Sequence, residues 1–189
     1  MKKVRVAING FGRIGRMVLR AALESNRRDI EFVAINDLAP IDQNAYLLQY
    51  DSVHGKLPMD VKTSGDYIIV GNQKIKCICE RDPSKLPWGK MKIDIVMECT
   101  GLFTAADKAR VHLDCGAKRV LVSAPSSGAD KTIVFGVNEN KITKKDLIIS
   151  NASCTTNCLA PVLNVLDKKF GIKNGWMTTV HAYTGDQQL

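Results

Sequence analysis

Apolar and polar positions alternate along the chain in a way that predicts strand and helix in turn. Val4-Arg5-Val6-Ala7-Ile8-Asn9 reads as a buried strand. Ile14, Met17, Val18 and Ala21 then follow at helical spacing, which predicts a helix with that face inward. Residues 31–36 predict a second core strand, and residues 42–50, after Pro40, a short helix. The polar stretch 50–57 reads as loop. Tyr67-Ile68-Ile69-Val70 and Lys74-Ile75-Lys76-Cys77-Ile78-Cys79 flank Gly71-Asn72-Gln73, the pattern of a β-hairpin. Core strands are expected at 93–99 and 119–122, with a helix at 105–115 between them. Short strands follow at 133–137 and 147–149. Leu159, Val162, Leu163 and Leu166 carry the i, i+3, i+4, i+7 spacing of a buried helix face, and Pro161 within that pattern should bend the helix. Residues 176–183 read as a strand opening a new sheet. No internal repeat or disordered linker interrupts this order.

The glycines after the first strand give the alternation a meaning. Gly10-Phe11-Gly12-Arg13-Ile14-Gly15 is a G-x-G-x-x-G turn that follows a strand and enters a helix, the context in which this motif binds a dinucleotide. Gly10 permits the tight turn, Gly12 lets backbone approach a pyrophosphate, and Gly15 allows close helix–strand packing. The second strand ends in Asp37, 22 residues beyond Gly15, where a carboxylate accepts hydrogen bonds from ribose hydroxyls. Asp37 would repel a 2′-phosphate and Leu38 offers it no hydrogen bond, so NAD is preferred over NADP. Thr100, Gly101 and Ser123 stand at strand C-termini, which line the ligand crevice of an open α/β sheet. The fold expected is α/β: a Rossmann-type, doubly wound, mostly parallel sheet with an antiparallel hairpin insertion, followed by the start of a second, α+β domain. The boundary falls at 151/152, giving 1–151 and 152–189.

The second candidate feature is Ser150-Asn151-Ala152-Ser153-Cys154-Thr155-Thr156-Asn157-Cys158. Ser153 is a natural N-cap, which puts Cys154 in the first turn of a helix. Unpaired N–H groups and the helix dipole there favour thiolate, the nucleophilic form. His54, His112 and His181 are the possible partners. His54 reads as a loop histidine and His112 as part of a helix. His181 lies in the strand after the cysteine's helix, placed to form a thiolate–imidazolium pair and to accept a proton. Ser153, Thr155 and Thr184 could bind a phosphate beside the thiol. Such a pocket suits a phosphorylated aldehyde, with inorganic phosphate as acceptor. Cys158 reads as packing one turn deeper.

Composition narrows the alternatives. The formal net charge is +8, from 27 basic and 19 acidic residues, but the basic residues are scattered in twos and threes. No nucleic-acid fingerprint accompanies them, so nucleic acid is not an expected partner. Six cysteines raise a metal or disulfide question, yet no second ligand pair follows Cys77 and Cys79, so no metal is expected. No apolar run approaches the roughly 20 residues of a membrane span. Met1-Lys2-Lys3 leads straight into a strand with no cleavage site, which predicts a cytoplasmic protein.

Taken together, residues 9–16, Ser150 to Cys158 and His181-Ala182-Tyr183-Thr184 resemble the phosphorylating glyceraldehyde-3-phosphate dehydrogenases. The likeness extends through Asn36-Asp37, Tyr50 to Gly55, Glu98-Cys99-Thr100-Gly101 and Ser123-Ala124-Pro125. The resemblance implies NAD-dependent oxidation of glyceraldehyde 3-phosphate to 1,3-bisphosphoglycerate through a hemithioacetal and thioester on Cys154, with His181 activating the thiol. It assigns Arg13, Ile14, Asp37, Arg81 and Ser123 to cofactor contacts, and Ser153, Cys154, Thr155 and Thr184 to the substrate. It also implies a cytosolic homotetramer in glycolysis or gluconeogenesis. The family's chains are nearly twice as long, so residues 1–189 are expected to hold a cofactor domain plus the opening of a catalytic one, inactive alone. Erythrose-4-phosphate dehydrogenase is the alternative within the enzyme class. A non-catalytic NAD- or RNA-binding module is the alternative outside it.

Overall fold

A computed structural model describes residues 3–182 and Thr184. Its centre is a nine-stranded sheet. Six strands form the parallel heart: β1 (Val4–Asn9), β2 (Ile30–Asn36), β7 (Gln73–Ile78), β8 (Ile95–Glu98), β9 (Arg119–Val122) and β11 (Ile148–Ser150). Their spatial order, β7-β2-β1-β8-β9-β11, is the doubly wound dinucleotide-binding arrangement. The chain reverses direction across the sheet between β7 and β8, so the crevice opens where the C-terminal ends of β1 and β8 lie side by side.

Both faces are covered at β1 and β2, which explains why they read as continuous apolar runs, whereas β8 and β9 bury one face and leave Met97 and Leu121 half-buried beside a cleft. Val6 and Ile8 of β1 pack with Phe11, Leu19, Phe32 and Leu48 on one face. Ala7 joins Ala34, Trp88, Ile93 and Val96 on the other. A third cluster, Ala106, Ala109, Val120, Val122 and Ile148, closes the far side.

The expected hairpin is present as β6 (Tyr67–Val70) and β7, joined antiparallel. It is longer than the sequence suggests, because β5 (Val61–Ser64) adds antiparallel to β6. The polar stretch read as loop contains a two-stranded turn, β3 (Tyr50–Asp51) with β4 (Gly55–Lys56). Three of its backbone and ring nitrogens gather on the buried Asp51 carboxylate: Val53 N, His54 N and His54 Nδ1, at 2.9, 2.9 and 3.3 Å.

Helix α1 (Arg13–Glu24) differs in the face it buries. The sequence predicts Ile14, Met17, Val18 and Ala21 inward, but Gly15, Leu19 and Arg20 are the buried positions and Ile14 is 52% exposed. The cause is close approach. A Cβ on Gly15 would lie 2.2 Å from the Gly10 carbonyl oxygen and 3.0 Å from Ile8, so the helix sits on the sheet through its glycine. The stripe through positions 15 and 19 therefore faces in. Gly15→Ala is expected to lower unfolding free energy by about 1–3 kcal/mol, the cost of overpacking, or by more if α1 must lift from β1. Denaturant melts of the two proteins check this, and equal midpoints would refute the close-packing role.

The helix expected at 105–115 is two short pieces, α3 (Ala106–Ala109) and α4 (Val111–Asp114). The strand expected at 133–137 is absent. A two-residue strand, β10 (Lys131–Thr132), instead pairs with the outer edge of β11. The chain then turns, with the Val134 N–H donating to Asn138 Oδ1 at 2.8 Å and Gly136 at φ +81°. Its apolar residues divide accordingly: Ile133 and Val134 are buried and Phe135 is exposed.

The last helix, α5 (Cys154–Phe170), runs through Pro161 as one element. Its predicted inward face is not buried: Val162, Leu163 and Leu166 are exposed, and Leu159 is half-buried. No described residues lie over that face as a packing layer. Residues 172–182 are extended and exposed but carry no strand assignment, because a strand needs a ladder partner and none of the described residues provides one. The strand expected at 176–183 is therefore not formed over 176–182, and Tyr183 lies outside the described residues.

Candidate active site

Three clefts are lined by the candidate site residues. The first, about 310 Å³, is lined by Gly10, Gly12, Asp37, Arg81, Thr100 and Phe103. The second, about 470 Å³, shares Cys99 with it and continues past Ile14 and Ser123 to Ser153 and Cys154. The third, about 310 Å³, shares Cys154 and holds Thr155, Cys158, Met177 and His181. Residues from both ends of the chain thus line neighbouring clefts.

The glycine turn shapes the first cleft. Gly10 has φ +89°, and a Cβ there would come within 2.7 Å of the Thr100 nitrogen. Gly12 caps α1, and nothing lies within 4 Å of where its Cβ would be. No side chain caps the N-terminus of α1 and no acidic residue stands in its first turn. An open, uncapped helix start of twelve residues fits a pyrophosphate, which its N–H groups and dipole attract. Asp37 is half-buried at the end of β2. Its carboxylate accepts from Phe11 N at 2.6 Å and Ala39 N at 2.8 Å. These bonds aim it into the cleft and leave acceptor capacity for hydroxyls. Arg81 is exposed and lines the same cleft, and Ser123 N is held by the Glu98 carbonyl at 3.0 Å.

Arg13 does not reach into the cleft unaccompanied. It forms a forked pair with Asp51 at 2.7 and 3.3 Å. The His54 backbone N–H and this guanidinium hold the Asp51 carboxyl well below the usual carboxylate range. His54 is thereby explained as a loop residue. Asp51 itself was missed by pattern reading, although D-S-V-H-G is a sequence in which an aspartate side chain commonly folds a turn back on itself.

A sharp elbow presents Cys154. After β11, Ala152 adopts φ +59°, a conformation that costs a residue with a side chain about 1–2 kcal/mol. The elbow is tied down on both sides. Ala152 N donates to Ser150 Oγ at 3.1 Å, and Ser150 Oγ donates to the Ala124 carbonyl at 2.8 Å. Asn157 Nδ2 reaches back to the carbonyls of Asn151 and Ser153 at 2.7 and 2.9 Å. Ser153 caps α5, its hydroxyl accepting from Thr156 N at 3.0 Å, so Cys154 is the first residue of the helix.

His181 arrives from the extended segment and places Nε2 3.1 Å from Cys154 Sγ. Its Nδ1 lies 2.5 Å from the Ala182 carbonyl, which fixes the ring. The hydrogen bond from His181 lowers the Cys154 thiol below its ordinary value, and the Thr155 backbone N–H adds to this. Cys99 and Cys77 are the contrast, since burial pushes both thiols up to about 11. Cys158 was expected to be packed but is exposed in the third cleft, on the same uncovered side of α5. Thr155 lines that cleft, and Thr184 is exposed. Among the described residues no three His, Cys, Asp or Glu side chains converge as a metal site. No helix among them is long and apolar enough to cross a membrane.

Residues 4–106 match the family described as glyceraldehyde 3-phosphate dehydrogenase, NAD binding domain, and residues 153–189 match the C-terminal domain of the same family. The chain belongs to the glyceraldehyde-3-phosphate dehydrogenase family. It is 61% identical over 184 residues to a glyceraldehyde-3-phosphate dehydrogenase of Xanthobacter flavus, and 60% identical over 184 residues to one of Cereibacter sphaeroides. Glyceraldehyde-3-phosphate dehydrogenase 1 of Bacillus subtilis is 56% identical over 187 residues. These alignments cover 97–98% of the chain and 55% of each relative, so the chain spans about half the length of the curated relatives it matches. The family's cofactor is NAD, and the glycine turn, the uncapped α1 and Asp37 are the features that fit it.

Proposed function

We propose that the protein catalyses the NAD-dependent oxidative phosphorylation of glyceraldehyde 3-phosphate to 1,3-bisphosphoglycerate, a step of glycolysis and gluconeogenesis. The observation that carries the reading is the Cys154–His181 pair, 3.1 Å apart, beside a cleft that Cys154 shares with Ile14 and Ser123. Membership of the family and the identities above support it.

In this reading residues 1–151 form the NAD-binding domain and residues 152–189 open the catalytic domain. Gly10, Gly12 and Gly15 shape the turn, the start of α1 takes the pyrophosphate, and Asp37 takes the ribose hydroxyls. Arg13, Ile14, Arg81, Thr100, Gly101 and Ser123 complete the cofactor contacts. When bound, NAD supplies the hydride acceptor.

The Cys154 thiolate attacks the aldehyde carbon, forming the C–S bond of a hemithioacetal, and N–H groups at the start of α5 stabilise the oxyanion. His181, the imidazolium of the pair, gives its proton to that oxyanion to form the hydroxyl and takes it back as the carbon is oxidised to a thioester, the hydride leaving to NAD. Inorganic phosphate then attacks the thioester carbonyl, the C–S bond breaks, and Cys154 leaves as thiolate. Ser153, Thr155 and Thr184 hold phosphate groups beside the sulfur. A homotetramer in the cytoplasm is part of the same proposal.

The test is an assay of the full natural chain with glyceraldehyde 3-phosphate, NAD and phosphate. NADH should appear with turnover, and omitting phosphate should limit it to about one equivalent per site, because the acyl-enzyme then has no acceptor. NADH formation indifferent to both phosphate and Cys154 alkylation would refute the reading.

A further inference from the structure

One buried cluster has no part in the chemistry above. Glu98, the last residue of β8, is 1% exposed, and His112 of α4 is fully buried. Four donors converge on the Glu98 carboxylate. Asn9 Nδ2 and His112 Nε2 reach Oε2 at 2.7 and 2.8 Å. Thr100 N reaches Oε1 at 2.8 Å, and the Thr100 hydroxyl bonds the same oxygen. The other ring nitrogen of His112, Nδ1, faces Trp88 Nε1 at 3.1 Å. An indole N–H only donates, so Nδ1 accepts and the proton of the neutral ring sits on Nε2, aimed at Glu98. Each group is matched when Glu98 is a carboxylate and His112 a neutral imidazole.

The polarity set at Glu98 propagates. Asn9 turns its NH₂ to the carboxylate, so its Oδ1 is left to accept from Asn36 Nδ2 at 2.8 Å. Asn36 in turn exchanges two bonds with Glu80, donating to its carbonyl at 2.9 Å and accepting from its N–H at 2.9 Å. The thread crosses the ends of β8, β1 and β2 and finishes on the segment carrying Arg81. Thr100 and Arg81 both line the first cleft, and three strand junctions separate β8 from β7 in the sheet.

We propose that Glu98 is a positioning residue for the cofactor cleft. Its carboxylate fixes the Thr100–Gly101 turn directly and the Glu80–Arg81 segment through Asn9 and Asn36, holding the two walls in register. The proposal rests on the reading of this cleft as the NAD site.

Glu98→Gln tests it with almost no change of shape. An amide NH₂ placed at Oε2 would oppose Asn9 and His112, and one placed at Oε1 would oppose Thr100 N. Either way a donor meets a donor, and a buried unmatched pair of this kind is costly. In the full natural chain, NAD should bind about tenfold or more weakly. Amide-resolved hydrogen exchange should quicken by about tenfold at both Thr100 and Glu80. Val120→Ala, a core truncation in β9, is the stability control and should leave NAD affinity and the relative protection of those two amides unchanged. A Glu98→Gln protein with lower stability but NAD affinity within twofold of wild type overturns the proposal. So does quickened exchange at Thr100 with Glu80 unaffected. If Glu98→Gln does not fold, Asn36→Asp probes the far half: it opposes the Asn9 oxygen and the Glu80 carbonyl, and unaltered NAD affinity there overturns the proposal equally. If the wild-type chain itself fails to bind NAD, the cofactor reading fails, and exchange at Thr100 and Glu80 still decides the positioning role.

Discussion

Replacing Cys154 by serine is expected to lower kcat by about 10⁴-fold or more, the scale of loss when a covalent nucleophile is removed. The sulfur is positioned by backbone, which the substitution leaves alone. The elbow at Ala152, the Ser153 cap and the Asn157 brace do not involve the side chain at 154. What changes is the charge state. The hydrogen bond from His181 lowers the thiol's pKa from its ordinary value, which favours the thiolate. A serine hydroxyl in the same place remains protonated and is a poor nucleophile toward the aldehyde. NAD affinity should stay within about twofold, because the glycine turn, the start of α1 and Asp37 are untouched. Turnover and NAD titrations on the same preparation separate the two effects. A serine variant retaining a tenth of wild-type kcat would remove Cys154 from the mechanism.

The elements that carry this chemistry were legible in the sequence because each is written locally. A strand, a G-x-G-x-x-G turn and a helix lie within a span of about twenty residues, and Ser153 precedes Cys154 directly. Of the three histidines, His181 is the one that follows the cysteine's helix in sequence, and the structure brings it to the sulfur at 3.1 Å. What escaped was decided at a distance. The face that α1 buries depends on how closely Gly15 meets the Gly10 carbonyl, which helical periodicity does not encode. The strand expected at 133–137 lost to the Asn138 side chain, which captures the Val134 N–H and starts a turn.

Glu98 and His112 escaped for a related reason. A glutamate closing the apolar run Ile95-Val96-Met97 is a visible anomaly, but its partners come from β1, α4 and the turn after β8. The anomaly marks a buried anion without naming what holds it. The uncovered side of α5 is the converse case. Leu159, Val162, Leu163 and Leu166 carry the pattern of a buried face, yet burial requires a second layer, and the described residues after Phe170 do not form one.

Substituting His181 by asparagine should separate the two tasks given to this ring. As a proton acceptor it is expected to contribute about 10²–10⁴-fold to kcat, and asparagine has no basic nitrogen to replace it. As the partner of Cys154 it is the largest cause lowering the thiol's pKa. Removing it therefore moves that pKa upward. The thiolate fraction at a fixed pH below the ordinary thiol range then falls, and the pH profile of Cys154 alkylation shifts to higher pH. A ring that merely packed would leave the profile where it is, since its loss would not change the thiol's partner. Iodoacetamide inactivation rates across pH 5–9, measured beside steady-state turnover, report both tasks. If alkylation shifts upward while kcat falls by no more than the lost thiolate fraction, His181 acts through the sulfur alone. A further drop at high pH, where the thiolate is restored in both proteins, isolates its work as the base. That residual drop is the expected result, because the 3.1 Å approach of Nε2 to Sγ also brings the ring within reach of a hydroxyl on the carbon bound there.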